Sequence, residues 1–297
     1  MEDKRRTDGN ETMFEVTPIE MNLSSEWNQE EVLCGTLHSK FDRVQNHLFS
    51  IEGEQRILTI MREGNMLLPD SIMLRCEDYN YLKNQGEYSA KKSKDYIQIH
   101  NIKITLIDPS SCSLLNLSVE NFKREYFEQK KNEIETFIEC SEKRSDFERL
   151  SERFGNLLDR FVEGIFKDQP EMVADSFCGL VGAGRGLTPA ADDAMIGALA
   201  GSLLGISLFK KQDAYFAVVK KILFCLLREK QTTEISCKYL KCACRGNFSE
   251  NLCRVIRLLA GESEADLVPI LEAIRMVGHS SGMDMLYGLH RALHYIR

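Results

Sequence analysis

The chain has 297 residues, 43% hydrophobic and 28% charged, the balance of a globular protein with ample material for a core. A net charge of −7, with no Lys/Arg tail or stripe, argues against a nucleic-acid partner, because phosphate backbones require a basic face. Met1–Asn10 is polar and lacks the apolar stretch of a signal peptide; the longest uncharged apolar run, Ala194–Phe209, falls short of the roughly 20 residues of a membrane span. These features predict a cytoplasmic chain with no membrane partner.

Residues 1–30 are polar and acidic and predict a loose arm. From Val32 to about Ile107 the signals are strand-like. Ile102, Ile104 and Leu106 alternate with Asn101, Lys103 and Thr105, a period of two. Ile57–Met61 is a short apolar, β-branched run, punctuated by turns at Glu52-Gly53 and Glu63-Gly64. Lys83–Lys94 is polar and reads as a loop. Residues 31–115 therefore predict a β-rich domain of about five to seven short strands.

After Pro109 the period becomes 3.6. Val119, Phe122, Tyr126, Ile134, Phe137 and Ile138 share one helical face. Phe147, Leu150, Phe154, Leu157, Leu158, Phe161, Val162 and Ile165 form the stripe of a second helix. Residues 116–297 predict a helical domain. The fold class is α+β: a small antiparallel sheet or barrel, then a mainly α-helical region carrying a glycine-rich loop.

That loop is the densest candidate for function. Gly182, Gly184 and Gly186 permit positive φ and close approach of a ligand to backbone amides. Thr188 then reads as an N-cap, with Pro189 at the first helical position, where its missing N–H costs nothing. A helix N-terminus adds unpaired N–H groups and partial positive charge, which together predict a cradle for a phosphate or carboxylate. The same residues would also make a tight interhelix turn. Asp192 and Asp193 sit beside the cradle. They could bind a cation or a ligand N–H, interact with the helix dipole and neighbouring donors, or supply a general base. A Walker A loop is excluded, because Gly184-Arg185-Gly186 lacks Gly-Lys-Ser/Thr, and the helical surroundings fit a Rossmann fingerprint poorly. Gly197, Gly201 and Gly205, four apart, lay a smooth strip along the following helix for close packing.

Two further helix starts carry hydroxyls. Thr232-Thr233-Glu234-Ile235-Ser236 reads as an N-cap with Thr233 and Ser236 available. In Gly278-His279-Ser280-Ser281-Gly282-Met283-Asp284, Gly278 ends one helix and Ser280 or Ser281 caps the next. Ser281 and Asp284 have capping-box spacing, with Asp in place of Glu. His38 and Asn46 flank Ser39–Arg43 in the strand region. The ten cysteines include no Cys-x-x-Cys pair and predict reduced thiols; Cys237, Cys242, Cys244 and Cys253 lack zinc spacing. His290 and His294 are four apart on the last helix, but His-Glu-x-x-His is absent, and they read as surface or core histidines. No metal site is predicted.

In this order these segments resemble the AllH-like family, a subunit family of oxamate carbamoyltransferase. The resemblance rests on His38-Ser39-x-Phe41 with Asn46; Gly182-x-Gly184-x-Gly186-Leu187-Thr188-Pro189-x-x-Asp192-Asp193; Thr232-Thr233-x-Ile235-Ser236; Gly246-x-Phe248-Ser249; and Gly278-His279-Ser280-Ser281-Gly282-x-Asp284. Ala190-Ala191 replaces the family's usual Ser-Gly and removes one hydroxyl from the first turn. The resemblance implies carbamoyl transfer between carbamoyl phosphate and oxamate, run in catabolism as oxalurate phosphorolysis during allantoin and purine breakdown. It also implies a multi-subunit complex, one partner resembling acyl-CoA synthetases, and no cofactor. The implied site has Asp192, Asp193 and His279 as the catalytic set. Around the substrate it places Gly182, Gly184, Gly186, Thr188, Thr233, Ser236, Ser280, Ser281, Asp284, His38 and Asn46. A non-catalytic ligand-binding or scaffolding subunit is the alternative.

Overall fold

The computed structural model describes residues 13–24, 27, 32–51, 54–85, 89–107, 112–154, 156–228 and 231–297. The chain divides into two compact units, Met1–Ser111 and Cys112–Arg297.

The first unit is one nine-stranded sheet in the order β1-β9-β8-β7-β3-β4-β5-β6-β2. Its centre is an antiparallel meander of β3 (Leu33–Lys40), β4 (Val44–Ile51) and β5 (Glu54–Arg62). β7 (Ser89–Lys92) pairs antiparallel with β3, followed by β8 (Tyr96–Ile99) and β9 (Ile102–Thr105). The sheet is mixed, not purely antiparallel. β6 (Ser71–Leu74) runs parallel to β5, and β1 (Phe14–Val16) runs parallel to β9. β2 (Glu20–Asn22) closes the other end antiparallel to β6. β1 and β2 thus fall within the stretch expected to be a loose arm; residues 1–12, 25, 26 and 28–30 of that arm lie outside the described residues. Val16 and Met21 anchor these short edge strands in the core with Trp27, Phe49, Leu58 and Ile60. Ser89–Lys92, expected to be loop, forms β7 because Ala90 and Lys92 alternate inward.

The second unit is helical. The stripe expected as one helix from Phe147 to Ile165 is two, α3 (Asp146–Phe154) and α4 (Leu157–Phe166). Before them, α2 (Arg124–Cys140) buries Phe127, Ile134 and Ile138. The centre is α6 (Ala190–Phe209), buried from Ala190 through Ile206. It is long and apolar enough to pass for a membrane span by composition, but most of it lies inside the unit. α11 (Ser281–Leu293) packs along it. A Cβ on Gly197 would lie 1.9 Å from the Met285 carbonyl oxygen, and one on Gly288 would lie 1.8 Å from that of Ala194, so these glycines let two backbones touch. Contacts then run on through Gly201 with Ala292 and Gly205 with Ile296, which makes the helices parallel, with both N-termini at one end.

Candidate functional site

The linker from α5 (Pro170–Leu180) to α6 turns through Gly182, Gly184 and Gly186 at φ of 76°, 129° and 93°. Gly184, Arg185, Gly186 and Leu187 are exposed. Gly184 lies over the start of α6. A Cβ there would sit 2.4 Å from the Ala190 amide nitrogen, whereas one on Gly186 would meet nothing within 4 Å. The absence of a side chain at Gly184 therefore lets the linker backbone lie against the first residue of α6, which is itself buried.

The cap differs from the expected one. α6 begins at Ala190, and Pro189 takes the cap position. The Pro189 carbonyl accepts from the Asp192 and Asp193 amides at 2.9 and 3.2 Å. The Thr188 hydroxyl is directed instead to the Ser281 hydroxyl, 2.9 Å away at the start of α11.

Asp192 and Asp193 point in different directions with different consequences. Asp192 is fully buried. Its Oδ1 accepts from the Gly182 amide at 2.8 Å, and its Oδ2 accepts from the hydroxyls of Ser236, at 2.5 Å, and Thr232. Burial raises its pKa and these three donors pull it back. Asp192 thereby ties the glycine linker to the start of α8 (Glu234–Cys244). Thr233 caps that helix, accepting from the Ser236 amide at 3.1 Å, and its hydroxyl donates to the Leu187 carbonyl.

Asp193 is 3% exposed, and its Oδ2 has no hydrogen-bond partner among the described residues. Burial pushes its carboxyl well above the usual range. The Ser281 and Thr188 hydroxyls offset part of that, while repulsion from Asp284 and Asp192 adds to it.

Asp284 does not form the expected capping box. Its Oδ1 accepts from the Ser145 hydroxyl at 2.6 Å and the Phe147 amide at 2.8 Å, so it serves the start of α3. Ser280 holds the cap position of α11 without a side-chain cap bond. Burial raises the Asp284 pKa, opposed first by the Phe147 amide and then by the Ser145 and Ser280 hydroxyls. Nearby, the Lys143 ammonium donates to the carbonyls of Arg275 and Gly278 at 2.6 and 2.9 Å.

The starts of α3, α6, α8 and α11 are thus joined by hydrogen bonds, and buried carboxylates act as internal counter-charges to their positive ends. The acidic residues beside the glycine linker thus serve internal hydrogen bonds, one of them to the linker's own Gly182 amide. His279 is exposed in the turn between α10 (Leu267–Arg275) and α11, with no hydrogen bond to the aspartates among the described residues. His38 and Asn46 belong to the first unit. His38 is the extra, exposed residue of a bulge in β3, where pairing shifts between Leu37 and Ser39. Asn46 is buried, donating to Ser39 at 3.0 Å and accepting from Thr59 at 2.9 Å. Thr232 is legible in the sequence only as part of a helix start, and Ser145 and Arg185 carry no site signal there. Thr232 and Ser145 acquire meaning only through distant aspartates; Arg185 is a lone cation between two glycines.

Residues 180–293 match the family model described as oxamate carbamoyltransferase subunit AllH. This is the family the motifs resemble, and its description is that of a subunit of oxamate carbamoyltransferase. The AllH match begins at the end of α5 and covers the glycine linker and the starts of α6, α8 and α11. His38, Asn46, Ser145 and Lys143 lie outside it. No solved structure matches the chain.

Proposed function

We propose that the chain is the AllH-type subunit of an oxamate carbamoyltransferase, moving a carbamoyl group between carbamoyl phosphate and oxamate in the cytoplasm. The observation that carries this is the convergence of the α6, α8 and α11 N-termini beneath an exposed glycine linker, all within the AllH-matched residues. Carbamoyl phosphate, oxamate and oxalurate are small anions, and such a convergence suits them. The Gly184 and Gly186 amides and the Arg185 guanidinium take the phosphate or carboxylate. Ser281 and Thr188 hold Asp193, whose unpartnered Oδ2 meets the ligand nitrogen. In oxalurate phosphorolysis, as occurs in allantoin and purine breakdown, a phosphate oxygen attacks the carbamoyl carbon and the bond to the oxamate nitrogen breaks. That nitrogen takes a proton from Asp193, which burial holds toward its protonated form. Asp192, Thr233, Ser236 and Asp284 position the linker and helix starts, and His279 stands at the rim. Partner subunits, one of them acyl-CoA-synthetase-like, complete the enzyme.

A non-catalytic ligand-binding or scaffolding role is favoured by one fact: Asp192 and Asp284 both accept bonds from within the unit. The test is oxalurate phosphorolysis by the purified chain, alone and with its partner subunits. Turnover that depends on Asp193 in either setting supports the proposal. Binding of oxalurate with full turnover by an Asp193→Asn complex makes the chain a ligand-binding subunit.

A further inference from the structure

On the far end of α11 from the linker, three metal-ligating groups meet. His290 and His294 lie one turn apart, and their Nε2 atoms are 3.1 Å from each other. Glu135, from the middle of α2, places Oε2 3.9 Å from His290 Nε2. The three ligand atoms all lie within 4.8 Å of one another. Ligand bonds of about 2.0–2.1 Å in a tetrahedral zinc shell separate neighbouring donor atoms by about 3.4 Å, between the two distances observed here. Only the half-exposed Glu135 side chain must swing inward to complete three ligands.

We propose that Glu135, His290 and His294 form a binding site for a zinc-class divalent cation that clips α2 to α11. The surroundings favour a cation. The site is at the C-terminal end of α11, where the helix carbonyls present partial negative charge. Two cations stand near and are felt by both histidines, but each is itself paired, Lys131 with Glu128 at 2.9 Å and Arg291 with Asp159. Glu135 has no closer cationic partner among the described residues. Two imidazoles and one carboxylate are ligands suited to zinc, cobalt or nickel and poor ones for calcium or magnesium. His294 is exposed, so one or more coordination positions would be held by water. The sequence shows only the i,i+4 histidine pair, because Glu135 is supplied by a helix far away in the chain. This site is independent of the proposed carbamoyl-transfer chemistry.

The test is calorimetric titration of the full chain with Zn²⁺, in the wild type and in the exposed-side variants His294→Gln and Glu135→Gln. All three proteins retain the same cysteines, so zinc bound by thiols is common to them. The expected result is one equivalent in the wild type that weakens at least about tenfold in each variant. Zn²⁺ should also raise the wild-type melting temperature by more than that of His294→Gln. Equal stoichiometry and affinity in all three proteins would overturn the proposal. So would failure of the wild type to bind Zn²⁺ more tightly than about 100 µM, a range in which stabilisation by bound ligand becomes slight.

Discussion

Ser236 donates a 2.5 Å hydrogen bond to Asp192 from 44 residues away, and the same carboxylate holds the Gly182 amide through its other oxygen. One side chain therefore sets the distance between the start of α8 and the glycine linker. Asp192→Asn keeps the shape but replaces one acceptor oxygen with an NH₂ facing two hydroxyls or an amide. It should destabilise the chain by about 2–4 kcal/mol, the cost of breaking a buried charge-assisted network. Ser236→Ala removes one donor and should cost about 1–2 kcal/mol. Urea unfolding of the two variants checks the order; a larger loss for Ser236→Ala would contradict the central place of Asp192.

Local signals carried much of this architecture. Thr233 does cap α8, and the glycines four apart do bring α6 against α11, because caps and small-residue strips are written in a few adjacent residues. Relationships between distant residues were illegible. β1 and β2 become strands only through partners on β9 and β6, so a polar stretch read as an arm. Asp284 has capping-box spacing to Ser281, yet its carboxylate is drawn to Ser145 and Phe147, 139 and 137 positions away in the chain. Thr188 is the residue type of a helix cap, but Pro189 takes that position and the Thr188 hydroxyl serves Ser281 and Asp193 instead.

Asp193 should act against stability at neutral pH. Its folded-state pKa is raised, so its contribution is complete below the unfolded value of about 4 and is lost as pH rises through the folded value. Asp192 and Asp284 are raised as well and act in the same direction. Asp193→Asn removes the titration and gives the buried position a neutral group. Its stability should equal or exceed the wild type's at pH 7, by up to about 1–3 kcal/mol, the cost of an unsatisfied buried polar atom. The advantage should shrink toward pH 4. Denaturant unfolding across pH 4–8 gives the answer; a variant less stable than wild type at pH 7 and equal at pH 4 would reverse the assigned sign. Carbamoyl-transfer turnover should be lost in the same variant.

Lys92 poses a parallel question in the sheet. It is fully buried on β7, and its ammonium has no hydrogen-bond partner among the described residues. Burial lowers its pKa, with Asp95 opposing. A lysine lowered in the folded state contributes stability that is present above its unfolded pKa and lost as pH falls through the folded one. Lys92→Met should therefore stabilise the chain at neutral pH, by about 1–4 kcal/mol if the site accepts the thioether without repacking. The gain should fade in alkaline buffer. Thermal unfolding at pH 7 and pH 10 distinguishes this from a packing effect, which would not depend on pH.

Gly184 and Gly186 separate strain from ligand access. Both have positive φ, so alanine at either position strains the backbone by about 1 kcal/mol or more. Only at Gly184 does the new methyl strike structure, 2.4 Å from the Ala190 amide nitrogen. Gly184→Ala must therefore push the linker off the start of α6, and with it displace the Gly184 and Gly186 amides that the proposed anion would use. Gly186→Ala projects into open space. The expected outcome is comparable expression of both variants, with a stability loss at least about 1 kcal/mol larger for Gly184→Ala. Protection by oxamate or carbamoyl phosphate in a thermal-shift assay should disappear in Gly184→Ala and persist, weakened, in Gly186→Ala. If the anion instead binds away from the linker, both variants will keep the full ligand-induced shift whatever their stability, and the converging helix starts would then serve packing alone.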